Sequence, residues 1–175
     1  HTGSSAASDV YKRQFLTSKK CLPYLLKSEN PHILNLSPPL DMKPHWFSNH
    51  VAYTIAKYGM SLCVLGMAEE FKEQGVAVNA LWPRTAIATA AVQNVLGGDE
   101  MSKISRTPEI MADAAHVILT KNSNEFSGNF CIDDNLLAEN GVKDFSKYAS
   151  VPFAELAPDF FVPEDIPAPD EAKNS

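Results

Sequence analysis

Tyr53 and Lys57, in the stretch Tyr53-Thr54-Ile55-Ala56-Lys57, are the residues whose types and spacing carry chemistry. In a helix, positions i and i+4 lie one above the other, so the phenol and the ammonium share a face. An unperturbed Tyr titrates at about 10 and is almost wholly protonated at neutral pH. A cation roughly 4 Å away, at an effective dielectric of about 20, favours the phenolate by roughly 4 kcal/mol. At about 1.4 kcal/mol per unit this brings the phenol to about 7, where a general acid–base works best. The plain alternative is a partly buried Tyr with Lys at the solvent edge, so the flanking elements decide.

Those elements read as alternating strands and helices. Leu16, Cys21, Leu22, Leu25 and Leu26 sit at helical spacing, with Pro23 as an irregularity. After Pro31, His32 to Leu36 reads as a short buried strand ended by Ser37-Pro38-Pro39. A loop with Asp41, Pro44 and Trp46 leads to the helix of Tyr53 and Lys57, which runs to Phe71 and is expected to stop at Gly75. Apolar residues spread round this helix, which predicts burial against a sheet on one side and a second subunit on the other. Val76 to Leu81 is a second strand, ended by Trp82-Pro83, and the strand–helix–strand order fits a right-handed parallel crossover. A small-residue loop and short helix are expected over residues 85–98. Thr107-Pro108-Glu109 opens another helix, and Asn129 to Ile132 is the third strand.

Composition narrows the classes. The chain has 175 residues, 45% of them apolar, which suits one domain with a proper core. No run reaches the roughly 18 uncharged apolar residues of a membrane span. The net charge is −6 and concentrates from Pro152 onward, where six acidic residues meet one Lys. No basic run remains to grip a phosphate backbone, so nucleic acid is not an expected partner. Cys21, Cys63 and Cys131 are odd in number and far apart, which reads as buried reduced thiols in an intracellular protein rather than as disulfides or a zinc site. The five His residues show no metal-ligand spacing. Residues 1–14 are expected to be a foreign or disordered leader, because Val10 to Gln14 resembles translated adapter sequence. Residues 15–150 form the domain, and 151–175 an acidic, Pro-rich tail or linker expected to be disordered.

The strand ending at Ser37, the helix with Tyr53 and Lys57, the strand closing in Asn79-Ala80-Leu81-Trp82-Pro83 and the last strand after Ser127-Gly128 together resemble the short-chain dehydrogenase/reductase family. Ala52 to Met60, Leu65 to Phe71 and Pro158 to Phe161 add to the likeness, which covers about Phe15 to Phe161. It implies an α/β fold, the C-terminal half of a Rossmann-type doubly wound parallel sheet, with three strands and flanking helices. It also implies a nicotinamide cofactor, NADP with NAD possible, and a lipid-like or steroid-like alcohol or carbonyl substrate. Carried over, Tyr53 is the general acid–base and a cofactor-binding residue, and Lys57 tunes it and holds the nicotinamide ribose. Ser37 is the candidate catalytic serine, and Pro83 and Thr85 lie along the nicotinamide carboxamide. Lipid metabolism, a peroxisomal or mitochondrial home and a homo-oligomeric parent are further implications.

Several features depart from the family. Ser37 lies sixteen residues before Tyr53, further than the usual spacing, and Pro38 follows it. Arg84 stands where a glycine usually follows the proline. None of the eight glycines forms a phosphate-cradling turn, and the leader holds no counterpart of the family's catalytic Asn. The expected reading is a fragment of an oxidoreductase, inactive by itself. The rival is a truncated, non-catalytic member used as an interaction module.

Overall fold

The computed structural model describes residues 2–90, 92, 98–152 and 154–173, with side chains from residue 9 onward. The order is α1 (Thr2–Leu25), β1 (His32–Asn35), α2 (Val51–Glu70), β2 (Ala77–Trp82), α3 (Gly98–Lys103), α4 (Glu109–Thr120), β3 (Phe130–Ile132) and α5 (Asp133–Glu139). The three strands form one sheet in the order β1-β2-β3. β1 and β2 are parallel, with His32 opposite Ala77 and Asn35 opposite Ala80. This is the expected α/β class with three strands and flanking helices. Part of the short helix expected over 85–98 lies outside the described residues.

Two compact units make up the chain: His1–Ala80 with Ile118–Phe130, and Leu81–Val117 with Cys131–Ser175. In the first, Val64, Met67, Ala68 and Phe71 pack with Val76, Val78 and Ala80. Every residue of β2 is buried, which is why it reads as a continuous apolar run rather than an alternating one. The polar exception is Asn79, whose amide donates to the Phe126 carbonyl at 2.8 Å and whose oxygen accepts from the Asn129 backbone at 3.0 Å. That side chain locks β2 to the approach of β3, since an unmatched amide here would cost about 1–3 kcal/mol.

α2 is long and apolar enough, by length and composition, to cross a bilayer. Its Val64, Met67 and Ala68 nevertheless lie in the core beside the strands, as in a core helix of a sheet protein. Val51, Ile55, Leu62 and Leu65 are exposed on the rest of it. After α2 a 3-10 turn over Lys72–Gln74 ends at Gly75, which takes a φ of 68° that only glycine adopts without strain. α1 begins inside the expected leader and continues through Pro23. It approaches α2 closely at Gly59, where a Cβ would lie 2.9 Å from the Tyr11 ring. All three cysteines are free thiols and none is fully buried: Cys21 is exposed on α1, and Cys63 and Cys131 are half-buried.

In the second unit the chain after β2 runs extended between two neighbours. The Ala86 carbonyl accepts from the Arg106 N–H at 2.9 Å, and the Ala86 N–H donates to the Ala157 carbonyl at 2.9 Å. Thr85 bridges Pro158 in antiparallel fashion. The segment expected as an acidic tail thus supplies residues 157–159 as a short pairing partner. Trp82 donates from its indole to the Phe160 carbonyl at 2.7 Å, and Phe161 is fully buried with its ring 6.1 Å from that of Trp82.

Candidate active site

α2 carries Tyr53 and Lys57 on successive turns, Tyr53 exposed and Lys57 half-buried. The helix thereby fixes the i, i+4 relation that the chemistry requires. Ser37 follows the C-terminal end of β1, fully buried. Its hydroxyl has no hydrogen-bond partner among the described residues. An orphaned buried hydroxyl costs about 1–3 kcal/mol, a cost removed when a ligand atom supplies the partner.

The loop between β1 and α2 is fastened to the helix that carries the pair. Ser61 donates to the Pro38 carbonyl at 2.6 Å, Tyr58 to the Asp41 carbonyl at 2.6 Å and Thr54 to the Trp46 carbonyl at 2.5 Å. Trp46 returns its indole N–H to the Asp41 carboxylate at 2.8 Å, with Lys43 a further 3.3 Å contact on the same oxygen. The Trp46 hydrogen bond is the largest cause holding the Asp41 carboxyl below its ordinary range. Burial pushes the Tyr58 phenol up, leaving it a neutral donor. Thr54, Tyr58 and Ser61 were not singled out from the sequence. Their signal was there: hydroxyls spaced by four and three residues along an apolar helix form a polar stripe next to the one bearing Tyr53 and Lys57.

Pro83 and Thr85 belong to the second unit, both buried. The Thr85 hydroxyl has no partner among the described residues, as a contact to a bound amide would require. Between them, Arg84 points its guanidinium into a cluster with Asp134 and Asn135. The structure therefore keeps Tyr53, Lys57 and Ser37 on one unit and Pro83 and Thr85 on the other, each set on or just beyond a strand or helix of the sheet layer. Among the described residues no group of three His, Cys, Asp or Glu is placed to hold a metal ion.

Comparison with known proteins finds similarity to the short-chain dehydrogenases. A short-chain dehydrogenase of Mycobacterium thermoresistibile superimposes with a TM-score of 0.81 at 48% identity, covering 91% of this chain and 56% of that one. This chain is thus similar to a short-chain dehydrogenase over most of its length. Among curated proteins it is similar to hydroxysteroid dehydrogenase-like protein 2 of Danio rerio, 61% identical over 155 residues. The protein of the same name in Xenopus laevis is 60% identical over 150 residues. These matches cover 87% and 86% of this chain but only 37% and 35% of the relatives, so the chain spans little more than a third of their length. No family model matches.

Proposed function

We propose that this chain is the C-terminal part of the catalytic domain of an NAD(P)-dependent oxidoreductase acting on a lipid-like or steroid-like alcohol or carbonyl. The observation that carries the reading is the α2 helix. It presents Tyr53 and Lys57 one turn apart and binds down, through three hydroxyls, the loop that begins at the orphaned Ser37. When bound, the nicotinamide gives or takes the hydride. Tyr53 gives a proton to the substrate oxygen on reduction and takes it back on oxidation, because hydride transfer leaves an alkoxide-like oxygen. The Lys57 ammonium stabilises the phenolate and holds the cofactor ribose, and Ser37 orients the substrate oxygen. Thr85 and the Pro83 backbone receive the carboxamide. NADP is the favoured form, and the parent is a homo-oligomer in peroxisomes or mitochondria, which a fluorescent fusion of the complete product tests.

The 175-residue chain alone is inactive in this reading, since none of its glycines forms a phosphate cradle. The test is to express it beside the complete product of its transcript and titrate NADPH and NADH by tryptophan fluorescence. Saturable binding by the longer form alone is expected. In that form Tyr53→Phe should lower kcat/KM by about 10²–10⁴-fold. A second reading is favoured by the exposed Val51, Ile55, Leu62 and Leu65 of α2: a non-catalytic module that docks on a full-length subunit. Failure of both forms to bind either nucleotide would move the assignment to that module.

A further inference from the structure

The residue that departs from the family's glycine hydrogen-bonds through all three of its guanidinium nitrogens. Arg84 donates from Nε to Asp134 Oδ2 at 2.7 Å and from Nη1 to the Ile166 carbonyl at 2.9 Å. Its Nη2 reaches Asn135 Oδ1 and, at 3.3 Å, the Pro167 carbonyl. Asn135 also donates to the Pro167 carbonyl at 3.1 Å. The backbone of the same arginine is committed as well: its N–H donates to Asp133 Oδ1 at 2.9 Å, and its carbonyl accepts from the Asp159 N–H at 2.8 Å. A second arginine, Arg106, is 2% exposed, lies 3.9 Å from Asp134 Oδ2 and donates to the Ala172 carbonyl at 3.3 Å. Two guanidiniums on one buried carboxylate thus reach three carbonyls of the C-terminal segment.

Net stability does not require such a cluster, because apolar residues of the same volume would fold as well. A rigid planar fork instead fixes direction: it holds the segment at one register. Phe161 points the same way. It sits at φ 72°, a conformation that costs a bulky residue roughly 1–2 kcal/mol and persists only where the surroundings over-determine it.

We propose that Arg84 is a positioning residue for cofactor binding. By gripping residues 166–167 it seats the C-terminal segment on the strip 84–86 and so sets Pro83 and Thr85. The effect on the cofactor rests on the functional reading above; the grip itself does not.

Two measurements separate these parts. In this chain, Arg84→Ala should speed hydrogen exchange at the Ala86 and Asp159 amides, which pair the strip 84–86 with residues 157–159, by about tenfold or more, as expected for losing charge-assisted hydrogen bonds. Arg84→Lys should recover part of the protection, and Asn135→Ala should show a smaller loss. In the complete protein, Arg84→Ala should raise KM for the nicotinamide cofactor by about fivefold or more, with kcat at saturation within about twofold, and Arg84→Lys should partly rescue KM. Unchanged exchange in a folded Arg84→Ala variant overturns the grip. Faster exchange with unchanged KM overturns the positioning role. If Arg84→Ala does not fold, Asn135→Ala decides by the same two readouts. A wild-type complete protein that binds neither nucleotide removes the positioning role together with the functional reading, while the exchange result still judges the grip.

Discussion

Asp133 holds its carboxyl where a charge is hard to keep. It is fully buried, and burial first, then the neighbouring Asp134 charge, push it up to about 7. The backbone N–H groups of Arg84 and Asp134 and the Arg106 charge pull the other way without prevailing. Its sign follows from linkage: between the ordinary carboxylate range near 4 and about 7, the folded chain keeps a proton that the unfolded chain releases. The protonated form's stabilisation is complete at the acid end and is lost as pH rises through about 7. Thermal unfolding followed by circular dichroism should therefore show Tm falling from pH 5 to pH 7.5, and Asp133→Asn should flatten that slope. An unaltered slope in the variant would rule Asp133 out as its source. At this scale the sequence was half legible. Tyr53 and Lys57 announce themselves by type and spacing, whereas Arg84 reads only as a lost glycine. The missing clue was the pair Asp133-Asp134 directly after a strand: Asp134 takes a guanidinium from fifty residues away, and Asp133 takes the backbone N–H of the same arginine.

Elements were more legible than side-chain contacts because hydrophobic periodicity is local and contacts are not. The three expected strands fall within a residue or so of β1, β2 and β3, and the helix of Tyr53 and Lys57 ends one residue before Phe71. α5 went unread, since Asp133–Glu139 is short and opens with two acids after a strand. The fastening of the β1–α2 loop was also invisible, because its acceptors are backbone carbonyls, which any residue supplies. That fastening is testable. Ser61→Ala removes the donor to the Pro38 carbonyl and leaves a buried acceptor behind, at a cost of about 1–3 kcal/mol. Urea unfolding should show a lower midpoint with an unchanged slope, and an unshifted midpoint would mean that the loop is held by its other contacts.

For the molecule as a whole, the parallel sheet has an outer strand. Among the described residues β1 pairs with β2 alone, so its other side presents backbone donors and acceptors to any extended chain. The chain should form higher oligomers as its concentration rises, and Leu34→Lys on that strand should suppress them in light scattering. Equal scattering by both would place the association elsewhere, with the exposed residues of α2 as the next surface to examine. The half-sheet itself was readable because the motifs that carry the family resemblance lie on its strands and its crossover helix. The seating of residues 157–173 was not: Pro and acidic residues resemble a linker until the arginines that receive them are known.

That seating has a consequence for turnover of the protein. A processive protease needs slack, a stretch it can thread before it meets resistance. A machine pulling on this segment from its C-terminal side would meet the Arg106 contact at Ala172 and then the Arg84 contacts at residues 166–167, and through Arg84 it would load the chain that leaves β2. Resistance would begin where the pull reaches Ala172.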